Sequence, residues 1–309
     1  MFGLSKYNYD SFTRDLLQKD IADSKLGVGP DPGDRAPDFE GRTLEGETIR
    51  LREYRGEKNV VLTFGSVTCP MTAGSIGGMN DLYREFSGDD VQFLFVYVRE
   101  AHPGERIPAH SSMEEKIHAA EKLRDEEDVE MPIVVDEVRG PIHRKYGKLP
   151  NATFIIDRSG RIAFRSLWTR PGIVREALEA LLERQHDRGV EHVVVNGGED
   201  RSFPASYAMV YAHRALERGG EKSLADFREA LGPAGRVALA TSRVVQPIAL
   251  NPGKAFAAAA LAGGVLAAAL LAGRKLRDKR LAARRPYDVY EAARPSARTG
   301  TDYSEPVGI

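Results

Sequence analysis

The 309-residue chain has one cysteine, Cys69. A single thiol excludes an intrachain disulfide framework and any multi-cysteine zinc cluster. If Cys69 does redox chemistry, the thiol that regenerates it comes from outside: a second copy of the chain, a small thiol such as glutathione, or a thioredoxin-type protein. A surplus of charge is also missing. The formal net charge of -1 gives no general attraction to nucleic acid, and no nucleic-acid partner is expected. The opening stretch, MFGLSKYNYDSFTRDLLQKD, lacks the apolar run of a secretory signal, so a cytoplasmic start is expected. What remains is ordinary globular material. Hydrophobic residues make up 42% and charged residues 29% of a 34.0 kDa chain, enough for one sizeable core plus accessories or for two modest domains.

Periodicity supplies the architecture. Phe12, Leu16, Leu17 and Ile21 fall at roughly helical spacing, which predicts an amphipathic helix over Tyr9 to Ile21, followed by the Gly-, Pro- and Asp-rich linker GVGPDPGDRAPDF. From there apolar runs and helical patterns alternate. Strands are predicted at 59–65, 91–98 and 131–136, and helices at 71–86 and 111–127. A short helix at 140–146 precedes strands at 152–156 and 161–166, joined by the turn residues Asp157 to Gly160, and a helix over Pro171 to Arg184 closes the unit. Parallel crossovers followed by an antiparallel hairpin describe an α/β fold, a thioredoxin-like mixed sheet flanked by helices. Beyond it, Val190 to Val195 reads as one more strand, and 206–218, 223–231 and 234–245 read as short helices.

Near the C-terminus, AFAAAALAGGVLAAALLAG (Ala255 to Gly273) carries no charged or hydrogen-bonding side chain over 19 residues, the length of a single transmembrane helix. A basic cluster from Arg274 to Arg285 follows, suited to anionic headgroups, so 255–285 is the expected membrane-lipid contact. The positive-inside rule alone would put the preceding domain outside. The missing export signal argues for the other side, and the expectation is a single-pass, membrane-associated protein with its redox domain in the cytoplasm. The domain plan is then an N-terminal helix and linker (1–32), a redox domain (33–186), a small helical region (187–253), the membrane helix (254–274) and a basic, then disordered, tail (275–309).

The chemistry centres on FGSVTCPMTAGS, Phe64 to Ser75. A predicted strand ends near Phe64 and a predicted helix begins just after Pro70, so Cys69 falls at or beside a helix N-terminus, where free N–H groups and the helix dipole favour a thiolate. Pro70 suits the first helical turn, and Ser66 and Thr68 add hydroxyl donors. The alternative is a small buried cysteine in the core. Pro150, directly before the strand at 152–156, is expected to be cis and to face the thiol, as in thioredoxin-like folds.

FGSVTCP resembles the active-site loop of the iodothyronine deiodinase family, in which selenocysteine occupies the position of Cys69. VYVREAHP (Val96 to Pro103), MPIVVD and YGKLP are similar to further segments of that family in the same order, over roughly Tyr7 to Glu183. The resemblance implies Cys69 as nucleophile with Thr68 beside it, Glu100 and His102 as residues that bind or protonate substrate, and His118 as a helix histidine of the site. Two positions depart from the family: cysteine replaces selenocysteine, and Val67 stands where a nearby cysteine is usual. The loop also resembles that of peroxiredoxins, with Ser66 three residues before Cys69-Pro70, although Leu62 takes the place of their proline.

The expected function is a deiodinase-like thiol oxidoreductase with no bound cofactor and no metal. Cys69 attacks a small-molecule soft electrophile (an aryl halide, peroxide or disulfide), and an external thiol or thioredoxin-type reductant restores it. The alternatives are a peroxiredoxin-like single-cysteine peroxidase and a membrane-tethered, non-catalytic binding protein of the same fold. A second copy of the chain is a candidate partner as a homodimer.

Overall fold

The computed structural model describes residues 7–88 and 90–250. Its centre is a strand with no polar face: β3 (Asn59–Gly65) is buried along its whole length, because VVLTF offers apolar side chains to both sides of the sheet. β4 (Val91–Tyr97) pairs with it in parallel and β5 (Ile133–Val135) continues that direction, while β6 (Ala152–Ile156) and β7 (Ile162–Ser166) add an antiparallel hairpin on the other side of β3. The alternation of side chains along each strand divides the core in two. Val61, Phe93, Phe95 and Ile155 face α2 (Pro70–Phe86), α3 (Met113–Glu127) and α5 (Pro171–Arg188). Val60, Leu62, Phe64 and Phe154 face Phe39, Leu51 and the short α4 (Pro141–Lys145).

The centre follows the periodicity; the edges do not. A hairpin of β1 (Glu40–Thr43) and β2 (Thr48–Arg50) extends the sheet beyond β5, through the pairs Arg42 with Val135 and Thr43 with Val134. These strands are short and largely polar, as edge strands are, so no hydrophobic pattern marks them. On the far edge the strand expected at 190–195 does not form. Val195 is buried and donates its N–H to the Ala163 carbonyl, but Gly197 and Gly198, with φ of 75° and 85°, turn the chain so that β8 (Glu199–Asp200) is the segment lying parallel to β7. The buried Arg165 guanidinium fixes this edge by bonding Glu199 at 2.7 and 2.9 Å and the Pro30 carbonyl at 2.9 Å.

The N-terminal helix α1 (Arg14–Leu26) begins later than its periodicity suggests. Thr13 is extended and its hydroxyl accepts the Leu16 N–H, which caps the helix and leaves Phe12 free to turn inward. Phe12 joins Leu216, Phe227 and Leu239 in a separate apolar cluster formed with α6 (Ala205–Gly219), α7 (Glu221–Leu231) and α8 (Pro233–Leu250). These helices dock on the thioredoxin-like layer, and the described residues up to Leu250 make one compact unit. α6 lies against α2 so closely that a Cβ on Gly74 would come within 2.6 Å of the Tyr207 ring. No described helix is long and apolar enough to cross a membrane. The expected membrane helix at 254–274, the basic cluster and the tail lie outside the described residues.

Two of the three glycines of α2, Gly74 and Gly77, therefore behave oppositely. Gly74→Val is expected to destabilise the fold by roughly 1–3 kcal/mol through overpacking against Tyr207. Gly77→Ala, with nothing near its added methyl group, should stabilise it by about 0.5–1 kcal/mol. Urea midpoints of the two variants check both signs.

Candidate active site

Two loops at the C-terminal ends of β3 and β4 build the site. Gly65 ends β3 where a Cβ would meet the Phe95 ring and the Thr72 hydroxyl, each at 2.6 Å, so the chain can leave the sheet only with glycine there. The loop Ser66 to Cys69 is then tied to the loop Arg99 to His102 from both directions. Ser66 Oγ accepts the Ala101 N–H at 3.2 Å, and Thr68 Oγ1 accepts the His102 N–H at 3.1 Å. In return Glu100 accepts the Thr68 N–H at 3.2 Å and the Thr68 hydroxyl at 2.6 Å. The Tyr97 hydroxyl also donates to Glu100 while receiving the Val67 N–H at 3.3 Å, and the His110 imidazole Nε2 lies 2.9 Å from the same carboxylate. Burial works against the charged form of Glu100, yet the bonds from His110, Thr68 and Tyr97 together hold its carboxyl below the usual range.

Cys69 occupies the N-cap position of α2 with extended backbone, and Pro70 is the first helical residue. The thiol is 2% exposed and lines an apolar cavity of about 270 Å³. His102, Pro150 and Trp168 share its inner wall, while residues of α1 and α6–α8 close it from outside. The His102 ring lies between Phe12 and Phe227, at centroid distances of 4.2 and 5.6 Å. The cap also bonds both loops directly: Arg218 donates to the Val67 carbonyl at 3.2 Å, and Ser223 donates to the His102 carbonyl at 2.8 Å. In addition, the Tyr9 hydroxyl donates to the Ala101 carbonyl at 2.9 Å.

This enclosure corrects the expectation of a thiolate. The helix start is where the sequence places it, but burial pushes the Cys69 thiol up to about 11, outweighing the opposing influence of the Thr72 and Met71 groups at the start of α2. Burial likewise drives His102 down to about 3, so its imidazole is neutral. Pro150 lines the cavity as expected, but the peptide bond before it is trans. Here the neighbouring Asn151 makes the cross-links, donating to the Phe64 carbonyl at 3.2 Å and accepting the Thr169 N–H at 3.0 Å, and a trans bond meets that geometry. Ser66, Thr68, Cys69, Pro70, Glu100, His102 and Pro150 thus come together at the two loops and the cavity. His118 does not, since its side chain is 83% exposed on α3, 4.0 Å from Glu121. The histidine on Glu100 is His110, in an irregular segment where no periodicity or motif singles it out. Tyr97 and Trp168 were equally hidden, because each reads in sequence as a core aromatic. Among the described residues no group of His, Cys, Asp and Glu is placed to hold a metal ion.

Residues 32–165 match the model of the AhpC/TSA family. The chain carries a thioredoxin-fold domain related to that family. Type I iodothyronine deiodinase of Xenopus laevis is 30% identical over 162 residues, covering 50% of this chain and 63% of the relative. Thyroxine 5-deiodinase of Gallus gallus is 29% identical over 135 residues, covering 40% of this chain and 52% of the relative. The thiol-disulfide oxidoreductase ResA of Geobacillus thermodenitrificans (strain NG80-2) is 32% identical over 131 residues, with coverages of 42% and 66%. The chain therefore spans between 52% and 66% of the length of these relatives. Among solved structures, a thioredoxin-family thiol:disulfide interchange protein of Chlorobium tepidum TLS aligns with a TM-score of 0.38 at 16% identity, covering 50% of this chain and 97% of that one. The deiodinase resemblance of the loop sequences therefore extends to an alignable domain.

The neutral state of His102 has a measurable consequence. Its pKa is 6.5 in the unfolded chain and about 3 in the folded one, so between these values the unfolded chain binds one more proton. Stability is then lost as pH falls from about 6.5 toward 3, by about 1.4 kcal/mol per pH unit for this group. His102→Phe should flatten the pH dependence of unfolding by that amount relative to wild type; equal slopes in urea melts between about pH 6 and pH 4 would refute a neutral His102.

Proposed function

We propose that the protein is a thiol-dependent oxidoreductase in which Cys69 attacks a soft electrophile and an external thiol regenerates it. The observation that carries this reading is the placement of the only thiol at the N-cap of α2, sharing a cavity with His102, whose Nδ1 has no hydrogen-bond partner among the described residues. With a peroxide, a sulfur–oxygen bond forms as the oxygen–oxygen bond breaks, and the thiol proton ends on the departing oxygen. With an aryl halide, sulfur takes the halogen and the thiol proton ends on the ring carbon. In either case the product at Cys69, a sulfenic acid or a sulfenyl halide, reacts with one external thiol to give a mixed disulfide, releasing water or hydrogen halide. A second external thiol restores Cys69 and leaves as the external disulfide. The chain cannot take these last steps alone, having no second cysteine. Neutral His102, driven down to about 3, is too weak a base to ionise the thiol; its part is to offer the unpaired Nδ1 for a hydrogen bond in the same wall.

A second reading is a binding protein of the same fold without turnover, and the burial that raises the Cys69 thiol favours it. Turnover separates the two. Wild type incubated with hydrogen peroxide and a dithiol, or with 4-iodophenol and a dithiol, should consume the electrophile, and Cys69→Ser should lower the rate at least a hundredfold. No turnover by wild type, or an unchanged rate in Cys69→Ser, rejects the catalytic reading.

The resting thiol gives a separate prediction. The rate of Cys69 alkylation by iodoacetamide should keep rising with pH toward about 11. A plateau by about pH 8, as for an activated thiolate, would overturn the buried-thiol geometry.

A further inference from the structure

We propose that the cavity above Cys69 binds one compact, uncharged apolar molecule of about one ring in size, carrying a single hydrogen-bond acceptor, and that the outer helices set this size limit. The proposal deepens the reading of Cys69 as the attacking group and rests on it for the use of the pocket, although binding can be measured separately. The first observation is the chemistry of the wall. Among the described residues no lysine or arginine lines the cavity, and the only acid there, Asp20, is buried and raised to about 6. An anion would find no counter-charge, and a cation would find one carboxyl that already interacts with the Arg99 and Lys19 charges.

The second observation is an unused donor. Trp168 is 3% exposed, lines the cavity, and its indole Nε1–H has no hydrogen-bond partner among the described residues. Indole can only donate, so this group calls for an acceptor, and a buried donor left without one is costly. His102 Nδ1, equally buried and unpartnered, offers a second contact in the same wall.

Size is the third observation. An apolar cavity of about 150 Å³ takes benzene in another protein, and the roughly 270 Å³ here has room for a substituted ring with little to spare. The inner wall belongs to the thioredoxin-like layer. The outer wall is Phe12 with Phe227, Leu231 and Ala238 of the cap, outside the 32–165 segment that matches the AhpC/TSA model. The short side chain of Ala238, buried on α8, leaves the space open, while Ala205 and Ala234 are exposed and mark the rim where a ligand enters.

Trp168 is the chain's single tryptophan, so its fluorescence reports occupancy of this cavity alone. In Cys69→Ser, which binds without reacting, cyclohexanone should give a saturable change in emission, and cyclohexanecarboxylate should give none at the same concentrations. Ala238→Phe should weaken cyclohexanone at least tenfold; Ala234→Leu, at the exposed rim, should weaken it severalfold without loading the core. Phe227→Ala should admit 4-cyclohexylcyclohexanone, which the parent rejects. By calorimetry, Trp168→Phe should weaken cyclohexanone about tenfold and leave methylcyclohexane unchanged. No saturable change with cyclohexanone, an equal response to the carboxylate, or unaltered affinity in both alanine variants overturns the proposal. Saturable binding in Cys69→Ser without turnover in wild type would keep the pocket and reject the catalytic reading; turnover without saturable binding would do the reverse.

Discussion

One buried carboxylate joins the two loops that make the site. Glu100 accepts both the amide and the hydroxyl of Thr68, the Tyr97 hydroxyl also donates to it, and His110 lies against it. An isolated carboxylate at this depth would be forced to neutralise, so its ionised form depends on these partners acting together. The dependence is mutual. Thr68 can present Oγ1 to the His102 N–H because its own proton is committed to Glu100, and the position of Cys69, next in the chain, follows from that of Thr68.

The thiol itself is governed by a competition between local and tertiary effects. A helix N-terminus favours negative charge by a modest amount that fades beyond the first turn. Removing the sulfur from water opposes negative charge, and here that effect is larger. The closed protein therefore holds a neutral thiol beside a neutral imidazole in an apolar space. A site of this kind has little to attract a charged molecule and much to attract a small apolar one.

That enclosure is the work of elements outside the thioredoxin-like sheet. Phe12 reaches His102 only because Thr13, rather than Tyr9, starts the first helix. Phe227 reaches it from the opposite side, and Arg218 and Ser223 bond the backbone of the two loops of the candidate site. A thioredoxin-like layer without these helices would leave the thiol open to solvent, where the helix start would count for more.

The sequence by itself determined the centre of the sheet, the helices on its faces, the place of Cys69 between a strand and a helix, and the lack of a second cysteine to pair with it. Each of these follows from short-range pattern or simple count: a run such as VVLTF can only be buried on both faces, Pro70 can begin a helix but not continue one, and one cysteine cannot pair with itself. Only the tertiary structure decided the edge strands, the choice of His110 over His118, the trans bond before Pro150 and the protonation of the thiol. These depend on which distant groups meet, and on how completely they exclude water, and neither is written in the spacing of residues along the chain.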